Sequence, residues 1–307
     1  MAPRVLYIGL GNIGRGMSKN LVEKGNLDQP LLLYNRSSQR SIELQAQLGT
    51  HRTEIVNTVA EGIAKADVVF LCLSNDTAVD VVVTEILQSR IEGKLIIDCS
   101  TVHPDTSNKI GQALEIAGAD FVASPVFGPP PMAEAGKLVT APAGPERAVK
   151  RALPYFKGVT TRDVIDMSGE KYGTSTLLKL MGSSFIGNMV EQVAESLVLA
   201  EKTGLGTSYL HQWISLIFGH PYSGYSERMV SGNYYQYDYP PVPVDVARKD
   251  LAHILALSKA SGAEMPNIGI VAGHIDEVKR LAGEKGDLAG IYGILRVRAG
   301  LDFENQK

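Results

Sequence analysis

Six residues near the start of the chain, Gly9-Leu10-Gly11-Asn12-Ile13-Gly14, have the types and spacing of a phosphate-holding turn. The first glycine permits a tight turn out of a strand. The second lets the backbone approach a pyrophosphate, and the third lets a helix pack closely on a sheet. Asn12 and Ile13 lie at the mouth of that helix, whose end offers free N–H groups and a partial positive charge to phosphates. The next apolar run ends in Asn35-Arg36-Ser37-Ser38. Folds selective for NAD place Asp or Glu about 20 residues beyond the glycines, to bond the ribose 2′-hydroxyl. No carboxylate here would repel a 2′-phosphate. Arg36 can pair with that phosphate and lie over the adenine, and Ser37 adds a hydroxyl. The cofactor expected is NADP(H).

Strands and helices must hold these groups in place. Residues 4–8 read as a short buried strand, and apolar runs at 31–34, 67–73, 94–97 and 121–126 as four more. Helical patterns at 13–23, 38–48, 57–65, 77–89 and 104–117 separate most of them. The alternation predicts an α/β Rossmann domain with a mainly parallel, doubly wound sheet, which runs at 137–141 and 159–165 would extend. The pattern changes after Asp166. Residues 171–203 hold no proline and repeat apolar residues at helical spacing (Leu177, Met181, Phe185, Met189, Val193, Leu197) until Gly204 and Gly206 end the run. Further helices are predicted at 207–218, 244–261, 268–282 and 288–299; residues 219–243 read as loop with room for one short helix. The expected organisation is a Rossmann domain over 1–166 and an all-α domain over 167–307, joined by a long interdomain helix.

Composition narrows the function classes. Hydrophobic residues make up 44% and charged residues 21% of the 307, which suits a globular enzyme, and a net charge of −3 gives no basic field for nucleic acid. The two cysteines, Cys72 and Cys99, sit in apolar runs and cannot form a disulfide framework. No apolar run approaches the roughly 18 residues of a membrane span. The glycine turn lies so near residue 1 that no targeting peptide is expected, and a cytoplasmic location follows. No cluster of His, Cys or Asp has metal-ligand spacing. The apolar surface of the long helix predicts a homodimer.

Three later segments name a reaction type. Asp98-Cys99-Ser100-Thr101-Val102-His103-Pro104 follows the fourth strand, Ala123-Ser124-Pro125-Val126-Phe127-Gly128-Pro129 the fifth, and residues 173–184, with Lys179, open the long helix. With the glycine turn, and with Arg248-Lys249-Asp250-Leu251 and residues 287–296, they resemble the β-hydroxyacid dehydrogenase family over essentially the whole chain. That family includes 3-hydroxyisobutyrate dehydrogenases and is related to imine reductases. The resemblance implies that Lys179 is the proton carrier: acid in carbonyl reduction, base in alcohol oxidation. A lysine near a cationic nicotinamide and the apolar walls of Leu177, Leu178, Leu180 and Met181 should have its pKa lowered from about 10.4 toward neutrality. Leu73-Ser74-Asn75 and Ser100-Thr101 would sit at the mouth of the sheet, with Leu73, Ser74, Asn75 and Thr101 at the cofactor and Ser100 at the substrate. Ser-Thr-x-x-Pro is equally a plain helix-capping turn. Lys249 would reach the cofactor or substrate, with Asp250 holding the loop.

The same resemblance exposes departures. The family's second motif, Asp-Ala-Pro-Val-Ser-Gly-Gly, holds a substrate carboxylate through its serine hydroxyl and glycine N–H groups. Here Phe127 replaces the serine and Pro129 the last glycine, leaving Phe127 and Gly128 to face the substrate with fewer donors. Ser183, expected beside Lys179 as the second catalytic residue, replaces the asparagine four residues after the lysine, on the same helix face but shorter. Gly173 matches the glycine pattern before the lysine, whereas Ser175 replaces another glycine. The expectation is an NADP(H)-dependent oxidoreductase acting on a carbonyl or hydroxy substrate of atypical type, a semialdehyde or ketone. Trp213, Phe218, His220, Tyr222 and Tyr225 are candidates to line its pocket, although for any single one a place in the core or an interface is the more ordinary reading. An imine reductase on the same scaffold and a non-catalytic NADPH-binding module are the alternatives. Retention of Lys179 and Lys249 argues against the module, and Lys179 against the usual imine reductase pattern of Asp or Tyr.

Overall fold

The computed structural model describes residues 3–305. By its internal contacts the chain divides into two compact units, Met1–Lys179 and Leu180–Lys307.

The first unit begins β1 (Val5–Ile8), α1 (Asn12–Lys24), β2 (Leu31–Tyr34), α2 (Ser38–Leu48), β3 (Thr53–Ile55), α3 (Val59–Lys65), β4 (Val68–Leu71), α4 (Asp76–Leu87), β5 (Leu95–Asp98), α5 (Pro104–Ile116) and β6 (Asp120–Ala123). It continues through β7 (Val126–Phe127), α6 (Pro130–Glu134), β8 (Leu138–Thr140), β9 (Ala143–Gly144), α7 (Glu146–Ala152), β10 (Thr161–Val164) and β11 (Met167–Ser168) into α8 (Tyr172–Lys202). Eight strands form one sheet in the order β11-β9-β6-β5-β4-β1-β2-β3, parallel except where β9 runs against β6. The central strands read as unbroken apolar runs because both faces are covered. Alternation at period two sends Leu6, Ile8, Val69, Ile96 and Phe121 to one core and Tyr7, Phe70, Ile97 and Val122 to the other.

Three features depart from the pattern in the sequence. The strand β3, Thr-Glu-Ile at the sheet edge, is too short and polar for an apolar run to reveal it. The run at 121–126 is broken at Ser124-Pro125: β6 ends, and β7 joins a second sheet, β10-β8-β7. The runs at 137–141 and 159–165 therefore supply that separate sheet and do not extend the first.

The second unit is helical: the rest of α8, then α9 (Thr207–Ile217), α10 (Tyr222–Val230), α11 (Asn233–Gln236), α12 (Val244–Ser261), α13 (Pro266–Ala282) and α14 (Ile291–Arg298). Its core gathers Val190, Leu197, Ile268, Val271, Ile275 and Tyr292. Segment 219–243 folds into two helices, not one, around buried Met229 and Tyr234. Fully buried Asp287 accepts from Arg228 at 2.9 Å and from the Val242 and Ala289 amides at 3.0 and 2.9 Å. A buried charge met by these three donors ties together α10, the segment before α12 and the turn before α14.

Candidate active site

The strand order reverses between β1 and β4, and ligands of doubly wound sheets bind beyond the carboxyl ends of the strands at that point. The glycine turn lies there. The Gly9 amide donates to the Tyr34 carbonyl at 3.1 Å, and the Cys72 amide to the Ile8 carbonyl at 2.9 Å. Gly9 has φ +101°, and a Cβ on it would stand 2.3 Å from the Cys72 carbonyl oxygen. On Gly14 a Cβ would stand 2.0 Å from the Gly9 carbonyl oxygen. Gly11 is different. Its φ of −74° is open to any residue, and a Cβ there would meet no atom within 4 Å. What glycine preserves at this position is space. The α1 N-terminus beside it has no side-chain cap and no acidic residue in its first turn. An open cradle at an uncapped helix end fits a pyrophosphate.

Asn35 ties the turn to the ribose loop: its Oδ1 accepts from the Leu10 amide at 2.9 Å and its Nδ2 donates to the Ser37 carbonyl at 3.0 Å. Arg36 and Ser37 beyond it are exposed. Among the described residues Arg36 makes no hydrogen bond or ion pair, and the Ser37 hydroxyl does not cap α2. Both are available to a phosphate.

The loops after β4 and β5 hold each other. Buried Ser100 accepts the Leu73 amide on its Oγ at 2.9 Å and donates its own amide to Asp98 Oδ1 at 2.9 Å. The Ser100 hydroxyl thus joins the two loops. Asn75 caps α4 through the Ala78 amide, leaving Ser74 exposed and Thr101 half-buried at the rim. Beside the turn, desolvation pushes the Cys72 thiol up to about 12, so it is no thiolate nucleophile.

Lys179 stands two turns into α8, half-buried. Local contacts fix the start of that helix. The Gly173 amide donates to Asn108 Oδ1 at 2.8 Å, with no room for a Cβ against the Pro104 carbonyl, and Ser175 Oγ donates to the Ala123 carbonyl at 3.1 Å. Ser175 therefore pins α8 to the end of β6. The Lys179 Nζ lies 5.2 Å from the centre of the Phe127 ring. Phe127 is half-buried in β7, and Gly128 and Pro129 behind it are exposed. The loop continues into α6, which fully buried Asn20 of α1 grips by donating to the Ala133 carbonyl at 2.9 Å. Sequence reasoning did not single out Asn20 or Asn108; an asparagine inside a helix, where it competes with the backbone, was the available signal.

In the second unit Ser183 Oγ donates to Asp250 Oδ2 at 3.0 Å, and Lys249 Nζ stands 3.3 Å from Asp250 Oδ1. Asp250 belongs to helix α12, so what it holds is Ser183 and Lys249, not a loop. Of the aromatic candidates, Phe218 packs on Trp213 and Tyr222 at ring separations of 5.5 and 4.8 Å, whereas Tyr225 is taken by Arg228 at 4.8 Å. Among the described residues no group of His, Cys, Asp or Glu could hold a metal, and no helix is long and apolar enough to cross a membrane.

Comparison with known proteins agrees with this geometry. Residues 4–169, over half of the chain, match the family described as the NAD binding domain of 6-phosphogluconate dehydrogenase. The NADH-dependent oxidoreductase ucdB of Aspergillus ustus is 35% identical over 292 residues, 95% of this chain and 98% of that protein. Glyoxylate/succinic semialdehyde reductase 1 of Arabidopsis thaliana is 30% identical over 266 residues, 85% of this chain and 87% of that one. Among solved structures, the 3-hydroxyisobutyrate dehydrogenase of Mycobacterium tuberculosis shares the fold, with a TM-score of 0.80 over 96% of this chain and 100% of its own at 24% identity.

Proposed function

Because this chain belongs to the β-hydroxyacid dehydrogenase-like family of NAD(P)-dependent oxidoreductases, we propose that it reduces a carbonyl compound with NADP(H), Lys179 carrying the proton. The observation that carries this reading is the anchoring of Lys179: a half-buried amine on a helix pinned to α5 through Asn108 and to the end of β6 through Ala123.

Gly9, Gly11, Asn12, Ile13 and Gly14 would hold the pyrophosphate, Leu73, Ser74, Asn75 and Thr101 the nicotinamide half, and Asn35, Arg36 and Ser37 the adenosine end. When bound, the dinucleotide supplies hydride to the carbonyl carbon. Lys179 then gives its ammonium proton to the carbonyl oxygen, and in the reverse direction its amine takes the hydroxyl proton. Ser100 keeps the two loops at the rim in register, and Phe127 and Gly128 face the reacting group. Lys249 and Ser183, joined through Asp250, are assigned to substrate and cofactor contacts. The choice of NADP(H) rests on Arg36 and Ser37; the Aspergillus ustus relative, by its name, uses NADH.

The test is NADPH oxidation with semialdehydes, glyoxylate, ketones and cyclic imines. Turnover of carbonyl compounds that falls about 10²- to 10⁴-fold in Lys179→Ala, with NADPH binding unchanged, is the expected result. Turnover of imines alone would move the assignment to imine reduction, and tight NADPH binding without any turnover would make the chain a binding module.

The unit Leu180–Lys307 exposes Tyr209, Trp213, Leu216 and Ile217 along α9. An apolar stripe of this kind supports assembly of the chain as a homodimer; light scattering that finds a stable monomer would overturn it. The unpaired Cys72 and Cys99 support a cytoplasmic location.

A further inference from the structure

The loop that follows the Phe127 ring, which Lys179 faces, is short of the donors an anion needs. Residues 129–131 are three prolines, none with an N–H. The next two amides, of Met132 and Ala133, already donate to the Pro129 carbonyl at 2.9 and 3.2 Å. The nearby hydroxyls of Ser124 and Thr140 bond each other at 2.7 Å, and Thr140 bonds the Ser124 and Pro125 carbonyls as well. What this stretch presents instead is the Phe127 ring. Its backbone pairs with Val139 in the β7–β8 ladder, and Asn20 fixes the loop that follows, so the backbone that carries the ring is held in place. The negative face of an aromatic ring attracts the Lys179 ammonium and repels a carboxylate.

We propose that Phe127 sets the substrate class, admitting uncharged aldehydes and ketones with an apolar or aromatic group beside the carbonyl and turning away oxo acids. The inference rests on Lys179 acting at the carbonyl. A carboxylate brought here would lose water and meet no donor from residues 129–133, whereas an apolar substituent would lie against the ring. The ring has a second effect. At 5.2 Å its face favours the charged, proton-donating form of Lys179 over the neutral amine.

A matched pair tests this: succinic semialdehyde and its methyl ester, compared by kcat/KM with NADPH and by Kd on the protein saturated with NADP+. The ester is expected to be favoured about tenfold or more in both measures, since discrimination grows when a polar group finds no partner. In Phe127→Ser the ratio should fall at least tenfold. Phe127→Leu, which keeps the apolar wall and guards against a serine variant that does not fold, should retain the ester preference. Its rate should fall with rising pH earlier than the wild type's, by roughly half a unit or more, because the amine loses the ring. A wild-type preference for the acid would overturn the proposal. So would an unchanged ratio in a Phe127→Ser protein that binds NADP+ normally, or an unmoved pH profile in Phe127→Leu. If the wild type turns over neither compound, the reductase reading fails, while the ratio of Kd values still decides the role of Phe127.

Discussion

The glycine turn at residues 9–14 and the loop at 127–133 both stand beyond strand ends of the first unit, and they have been treated in opposite ways. In the turn, backbone meets backbone. A Cβ on Gly9 or Gly14 would fall 2.3 or 2.0 Å from a carbonyl oxygen, so only glycine closes it. In the loop, the frame is set by the β7–β8 ladder, by Asn20 and by Gly128 at φ +132°, and the side chains of Phe127 and Pro129 are not needed to hold it. Phe127 and Pro129 can therefore stand where other residues would serve a different ligand. Positions dictated by backbone geometry report the fold and its cofactor. Positions free of that constraint are the ones the proposed function assigns to the substrate.

Two glycines allow this contrast to be broken from inside the turn. Gly14→Ala should damage both folding and binding: the clash with the Gly9 carbonyl must be relieved by moving α1 off the sheet, at about 3 kcal/mol, or a loss of roughly 6–12 °C in Tm, and dinucleotide affinity goes with it. Gly11→Ala should damage binding alone. Its φ suits alanine and its Cβ meets nothing, so Tm should hold. The Kd for NADPH should rise about a hundredfold as charge-assisted bonds to phosphate are displaced. Thermal melts and calorimetry on the pair separate the roles; a Tm loss in Gly11→Ala equal to that of Gly14→Ala would show that space for a ligand is not what Gly11 keeps. A smaller effect is expected at the adenosine end. Arg36→Asp should raise the KM for NADPH about ten- to a hundredfold and that for NADH by no more than about threefold. Equal losses for both would remove the NADP(H) preference.

Much of this was legible in the residues because the first unit is built from local rules. The strands are apolar since both faces are covered, and the glycines are spaced by the turn they make. The parts that were not legible depend on distant partners. The strand β3 exists because β2 lends it a ladder, not because Thr-Glu-Ile is strand-like. Ser175, read as a departure from a glycine pattern, is a bond from α8 to the Ala123 carbonyl. Ser100, read as a substrate contact, has its oxygen engaged by the Leu73 amide. In each case the residue type was visible and the partner was not, because the partner lies 22 to 52 residues away.

Ser183 tests the tolerant side of the comparison at its weakest point. It donates its proton to Asp250 at 3.0 Å, so toward any ligand its oxygen offers lone pairs only. Asp250 also faces Lys249 at 3.3 Å, with both side chains about 15% exposed (14% and 16%). Ser183→Ala removes one neutral donor and should lower kcat/KM by only about two- to fivefold, the size of one net hydrogen bond. Asp250→Asn removes the carboxylate charge that faces Lys249 and that accepts from Ser183, and should cost more, roughly tenfold. The order matters more than either size. If the substrate side tolerates exchange, Ser183→Ala must stay far milder than Lys179→Ala. A Ser183→Ala variant as inactive as the lysine variant would place the hydroxyl in the chemistry itself, and the position would then be as constrained as the glycine turn.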